Sequence, residues 1–235
     1  MRSALAAGAL MSASLLVLGA AAPSVAVPPL PERMADTGGG TQLITAVAAK
    51  ASSTTGTVTW WDLRNGQWVK AGSAAARFGA KGLVEGTERK QSTNTTPTGL
   101  YDLPFAFGIK AAPTGTSYKY RAVHSSSWWC EDNDSRSYNR WTEPLAADCR
   151  ASESERLGAY PTQYAYALVI GFNYRRPVHK RGAGIFLHVN GRGATAGCVS
   201  VPADAMKAIL KWAAPGKKPH IAIGTTGGST VITQY

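Results

Sequence analysis

The chain has 235 residues, with 25 lysines and arginines against 14 aspartates and glutamates, a formal net charge of +11 and three cysteines. That length suits one well-cored domain behind a short leader and is too small for two full domains. The positive excess draws the protein to anionic surfaces such as phosphate-bearing polymers, carboxylated cell wall or membrane headgroups; the basic residues are scattered and no nucleic-acid motif is present, so nucleic acid is not an expected partner.

Taken in order, Arg2 opens a run of small and apolar residues from Ala4 to Ala22, and Ser24-Val25-Ala26 sets small residues where a signal peptidase cuts. Residues 1–26 read as a secretory signal, with a lone membrane anchor as the other reading of so short an apolar run. Removal of the signal leaves a secreted protein, extracellular or cell-wall associated, with no stable membrane span. Residues 27–40, holding Pro28, Pro29, Pro31 and Gly38-Gly39-Gly40, read as a flexible leader, and 41–235 as the domain.

The domain is expected to be mostly β with a few helices. Gln42–Val47 and Thr57–Leu63 are strands, and Asn65-Gly66 before Gln67–Lys70 signals a hairpin. Thr96-Pro97-Thr98-Gly99 reads as a turn, and Gln163–Phe172 and Gly184–His188 as buried strands. Pro202 followed by Ala203–Trp212 spaces Met206, Ile209, Leu210 and Ala213 along one helical face, and His220–Gly224 is a last strand. Between Ser125 and Arg150, Trp128, Trp129, Tyr138 and Trp141 alternate with charged residues: this long loop is either a wall over a binding groove or satellite core.

Three cysteines in an exported chain suggest one bridge and one free thiol. Pairing Cys130 with Cys149 closes a modest loop, a stabilisation on the order of 3 kcal/mol, and leaves Cys198 free; three free thiols or a bridge through Cys198 are the alternatives. His188 ends an apolar run and Cys198 follows across a loop of Gly, Ala, Asn and Thr. A thiol needs a base to become a nucleophile and N–H groups to hold the oxyanion that its attack creates, and this stretch has the residue types for both. His124, His179 and His220 are dispersed, so neither a metal nor a cofactor is expected.

His188, a glycine-bearing loop and Thr195-Ala196-Gly197-Cys198-Val199 together resemble the signature of the L,D-transpeptidase (YkuD) catalytic domain. The Thr96-Pro97-Thr98-Gly99 segment is similar to the TP-x-G that precedes the same site in that family. The likeness covers Gln42 to Gly224. Trp128-Trp129, Tyr138–Trp141 and Glu155-Arg156-Leu157 further resemble a secreted actinobacterial branch.

The resemblance implies a bent mixed β-sheet sandwich with a helix packed after the catalytic cysteine. It also implies an activity on peptidoglycan stem peptides: Cys198 forms a thioester with a donor, releases D-alanine and passes the acyl group to an acceptor amine. An L,D-carboxypeptidase-type hydrolase using the same site and a non-catalytic wall-binding module are the alternatives. Carried over by position, His188 is the general base, Gly197 and Cys198 offer oxyanion N–H groups, Thr195 fills the Ser/Thr position, and Gly191 is the candidate carbonyl orienting the histidine. Two positions depart from the family pattern, Ala196 where many members have His or Asn, and Ser200 where many have Arg. Arg181, Arg192 and Arg140 are the candidates to meet a substrate carboxylate in place of that arginine, with Trp141 beside them as a candidate substrate-binding aromatic.

Overall fold

The computed structural model describes residues 27–235, so the expected signal over 1–26 lies outside the described residues. The strands run β1 Gln42–Ala48, β2 Thr55–Arg64, β3 Gln67–Arg77, β4 Leu83–Glu85, β5 Thr96–Asp102, β6 Ala106–Gly108 and β7 Tyr120–Ala122. They continue as β8 Trp128–Cys130, β9 Arg140–Thr142, β10 Glu155–Arg156, β11 Ala167–Val169, β12 Phe186–Val189 and β13 Val199–Val201, with helix α1 at Ala203–Trp212 and β14 at His220–Thr225. Eleven strands form one mixed sheet in the order β4-β5-β14-β1-β2-β3-β13-β12-β11-β6-β7, and β10-β8-β9 form a small second sheet. Among the described residues the chain is mostly β with a large mixed sheet, as expected, and the helix expected after Cys198 is α1.

Burial follows from where each strand sits. β1 lies between β14, which it meets in parallel, and β2, antiparallel, and six of its seven residues are buried. A strand covered on both faces reads as a near-continuous apolar run, which Leu43 to Ala48 supplies apart from Thr45, whose hydroxyl accepts from Trp61 Nε1 (2.9 Å). β2 and β3 form the expected hairpin, with Asn65 at φ 50° and Gly66 at φ 79° in its turn. Two successive positive φ values are what a two-residue turn matching the strand twist needs.

Helix α1 buries Met206, Ile209 and Leu210 against the sheet, joining Ile44, Leu187, Val199 and Val201 in the main core. Its C-terminal end is satisfied from β1: the buried Gln42 side chain donates from Nε2 to the Trp212 carbonyl (2.7 Å) and accepts the Ala214 N–H at Oε1 (2.9 Å). The Trp212 carbonyl is one of the acceptors that a helix C-terminus leaves unpaired, and the Ala214 N–H belongs to the segment just past it.

Three expectations are corrected. The 27–40 leader is not loose: Leu30 and Met34 pack on a cluster around Trp68 and Ile232, and Ala35 and Asp36 donate backbone N–H groups to Thr233 and Tyr235. Thr96–Gly99 is not a turn but the first half of β5. Pro97 is tolerated there because the ladder to the β4 side uses the Thr96 N–H and the Thr98 carbonyl, with Gly82 and Gly86 as partners, and needs no donor from Pro97. Only Ala167–Val169 of the Gln163–Phe172 run is strand; a 3-10 turn at Gln163–Ala165 precedes it, opened by the Tyr164 N–H donating to the Tyr160 carbonyl (2.8 Å).

Replacing Gln42 with alanine leaves the Trp212 carbonyl and the Ala214 N–H without protein partners. The expected loss is about 2 kcal/mol, read as a lower urea midpoint at unchanged slope; a loss under about 0.5 kcal/mol means that Gln42 does not hold the helix end.

Candidate active site

The central strands set the site. β12 and β13 run parallel, with Leu187 opposite Val199 and His188 opposite Ser200, so Cys198 enters β13 beside Phe186. The thiol is buried and held on both sides by backbone: Cys198 Sγ donates to the Gly184 carbonyl (3.3 Å) and accepts the Phe186 N–H (3.3 Å). Burial pushes the thiol well above its ordinary pKa, and the Glu155 carboxyl pushes the same way.

His188 is likewise buried, with its ring edge-on to Tyr164 at 5.6 Å between centroids. Its Nδ1 lies 2.7 Å from the Val189 carbonyl. A carbonyl only accepts, so Nδ1 carries the proton of the neutral ring and Nε2, which has no hydrogen-bond partner among the described residues, is left basic. Burial lowers the His188 pKa to about 4. At neutral pH the resting pair is therefore thiol and neutral imidazole.

The loop before Cys198 is tied internally. Thr195 Oγ1 donates to the Cys198 carbonyl (2.6 Å) and accepts the Gly197 N–H (3.1 Å). Thr96 Oγ1 also donates to the Cys198 carbonyl (3.3 Å) and accepts the Gly79 N–H (2.8 Å), which gives the buried Thr96 of the TP-x-G segment its task. Gly197 is at φ 144°, and a Cβ there would stand 2.8 Å from Arg89 Nη2. Its N–H is occupied by Thr195, whereas no hydrogen bond among the described residues uses the Cys198 N–H. Of the two expected oxyanion donors, that of Cys198 is the one left unengaged among the described residues.

Cys198, His188, Gly191, Arg192, Thr195 and Gly197 all line one cavity of about 650 Å³. Three of the expected substrate-binding residues do not. Arg140 donates to the Tyr174 carbonyl and lies 4.8 Å over the Tyr174 ring. Trp141 packs edge-on to Phe105 and Phe107 under Arg121. Arg181 lines a separate small pocket with Glu85, Tyr101 and Tyr235. The orienting carbonyl is also corrected: Val189 serves His188, and the Gly191 carbonyl instead accepts from Arg77 Nη1 (2.7 Å). The local fold explains this, because the residue after His188 is already within reach of its ring.

Of the two readings of the Trp-rich loop, satellite core describes its aromatics. Trp129 and Trp141 pack with Phe105, Phe107, Tyr164 and Phe186 in the cluster that contains Cys198. Cys130 and Cys149 are bonded, as expected, and Cys198 is free.

Several residues escaped the sequence reading. Arg77 of β3 lies opposite Ser200 and reaches the carbonyls of Gly191 and Gly193, so an arginine supports this loop from the neighbouring strand. Asn139, buried at φ 55°, accepts from Trp129 Nε1 (2.8 Å) and from the Gly184 N–H (3.1 Å), while its Nδ2 donates to the carbonyls of Phe172 and Asn173. Arg89, Glu131 and Glu155 also line the cavity. Contacts between segments distant in the chain bring these residues to Cys198, and no spacing announces them.

Among known proteins, the family model for YkuD, the L,D-transpeptidase catalytic domain, matches residues 48–222. No curated protein matches the chain. A solved structure described as Bdellovibrio bacteriovorus Bd1075 is similar at 18% identity, covering 78% of this chain and 48% of that chain, with a TM-score of 0.40. The chain thus spans about half the length of that protein.

The depressed His188 pKa makes stability fall in acid, because the unfolded imidazole binds a proton below its ordinary 6.5 and the folded one does so only near 4. The contribution is complete above pH 6.5 and is lost as the pH falls toward 4. The stability difference between the wild type and His188→Asn should shift by about 3 kcal/mol across that window in pH-dependent denaturation; a difference independent of pH contradicts the neutral buried ring.

Proposed function

Because the chain belongs to the L,D-transpeptidase catalytic domain family, we propose that it is a cysteine acyltransferase acting on peptidoglycan stem peptides outside the cytoplasm, in or near the cell wall. The observation that carries the reading is a free, buried Cys198 sharing a cavity with a histidine whose Nδ1 is committed to the Val189 carbonyl and whose Nε2 is not.

The chemistry follows from those atoms. Nε2 of His188 takes the Cys198 proton as the sulfur attacks the carbonyl preceding the terminal D-alanine of a donor stem peptide. The oxyanion is received by the Cys198 N–H, and the imidazolium returns the proton to the departing amine, giving a thioester and free D-alanine. An acceptor amine then attacks the thioester, gives up its proton to His188 and restores the thiol. Water in place of the amine makes the reaction a carboxypeptidase.

Both resting groups are neutral, so the thiolate forms only as the substrate carbonyl begins to take up charge. That fits a nucleophile held between a carbonyl and an N–H rather than paired with a cation. The net charge of +11 supports residence on the anionic wall.

Incubation with a disaccharide tetrapeptide should raise the intact mass of the wild type by the donor less D-alanine, and Cys198→Ala should show no such gain. An added amine should discharge the adduct into a cross-linked product, whereas discharge only by water identifies the hydrolase. Removal of the Cys198 N–H as an oxyanion donor is not possible by side-chain change, so Thr195→Val is the milder probe: loosening the loop that presents this N–H should slow acylation about a hundredfold. No adduct on the wild type and full activity in Cys198→Ala each defeat the enzyme reading and leave a wall-binding module.

A further inference from the structure

Two glycines flank Ala183 in the short segment that carries the thiol's acceptor, Gly182 at φ 118° and Gly184 at φ 64°. Larger residues do not fit at either position, because a Cβ at Gly182 would run into Arg89 Nη1 and one at Gly184 into Glu131 Oε1. Glycine enters positive and negative φ about equally, so the segment does not select this conformation by itself. Groups outside it have to hold it. What they hold is the Gly184 carbonyl, to which Cys198 Sγ donates (3.3 Å).

The holding groups belong to two adjacent residues of the Trp-rich segment. The Gly182 N–H donates to the Tyr138 hydroxyl (2.9 Å) and the Gly184 N–H to Asn139 Oδ1 (3.1 Å). Both residues are buried, and neither lines the cavity of Cys198. Asn139 is fixed from several sides. Its Oδ1 also accepts from Trp129 Nε1 (2.8 Å), while Nδ2 donates to the carbonyls of Phe172 (3.2 Å) and Asn173 (2.6 Å). Two donors at one end of the amide and two acceptors at the other leave one way for it to face. Its backbone N–H donates to the carbonyl of Cys130 (2.8 Å), which is bonded to Cys149. The residue sits at φ 55°, a left-handed conformation that asparagine enters more readily than most. The Tyr138 hydroxyl donates in turn to Gln91 Oε1 (2.7 Å).

We propose that Asn139, with Tyr138 beside it, is a positioning residue for the nucleophile: it selects the Gly184 conformation whose carbonyl engages the Cys198 thiol, and so fixes where the sulfur stands. It touches neither the sulfur nor a substrate and acts through Gly184. The effect on turnover rests on the acyl-transfer reading, whereas the placing of the sulfur does not. Loss of the hold has two consequences of opposite sign. Gly184 is free to turn its carbonyl away, and a thiol that loses the acceptor of its neutral form gives up its proton more readily. The sulfur is then no longer confined to one place, and attack on a bound carbonyl, which depends on alignment, slows.

The two ends of the Asn139 amide can be tested apart. Asn139→Gly tolerates the same φ and removes both ends, whereas Asn139→Asp keeps an acceptor toward Gly184 and Trp129 and loses the donor toward Phe172 and Asn173. Alkylation of Cys198, the free cysteine, by iodoacetamide reads the thiol without any substrate. Asn139→Gly should be alkylated about fivefold faster than the wild type, and acylated by a disaccharide tetrapeptide about tenfold more slowly at little-changed KM. Asn139→Asp should match the wild type within about twofold in both, even where its melting temperature falls as far as that of Asn139→Gly. A merely structural residue would make both variants follow their melting temperatures instead. Equal alkylation of the two variants, or of Asn139→Gly and the wild type, overturns the proposal. If Asn139→Gly does not fold, Tyr138→Phe takes its place: it loses only the hydroxyl between Gly182 and Gln91 and should raise alkylation about threefold, and an unchanged rate overturns the proposal. If alkylation follows the expected order yet the wild type never forms a thioester, the positioning role stands and acyl transfer falls. If the thioester forms but the alkylation order fails, the positioning role falls and acyl transfer stands.

Discussion

The hydrogen bond from the Cys198 thiol to the Gly184 carbonyl is the contact on which the rest of the site depends. Gly184 precedes β12, so its position fixes where Phe186 presents the N–H that the sulfur accepts and where His188 enters the cavity. Asn139 holds Gly184 from the other side by accepting its N–H. Through that buried amide the small sheet, with its disulfide, is coupled to Cys198 beside the large one. A change in the Trp-rich segment is therefore felt at Cys198 even though none of its tryptophans lines the cavity.

The loop before the cysteine is supported in a similarly distributed way. Thr195 and Thr96 both donate to the Cys198 carbonyl, and Arg77 holds the carbonyls of Gly191 and Gly193. The family pattern has an arginine two residues after the cysteine, where this chain has Ser200. Ser200 donates to Asn190 Oδ1 (2.8 Å), and the strand opposite contributes Arg77 to the loop. Ser200 therefore does not leave the loop without a basic support.

Features expressed along the chain were legible in the sequence. The Asn65-Gly66 hairpin, the amphipathic α1 and the largely apolar β1 all carry their periods in successive residues, and the short interval from His188 to Cys198 brings both residues to one cavity. What depends on pairing between distant segments was not legible. Arg89 lies far along the chain from Gly197, and Glu131 looked like one more charge in a polar loop. Arg140, Arg181 and Trp141 were chosen because basic and aromatic residues near a site invite substrate, but local carbonyls and rings claim their side chains first. Thr96-Pro97-Thr98-Gly99 looked like a turn because proline and glycine punctuate turns, and a strand can hold the same residues when its ladder bonds skip the proline nitrogen.

Burial raises the thiol pKa, lowers that of the imidazole and leaves both uncharged, with the tautomer of His188 set by the Val189 carbonyl. Activation in this account is a proton transfer that substrate provokes, not a standing thiolate. Nitrogen-15 NMR of the histidine rings in the free protein at neutral pH tests that most directly. The account predicts a neutral His188 protonated at Nδ1, with titration only near pH 4; an imidazolium at neutral pH, or a ring protonated at Nε2, would contradict it.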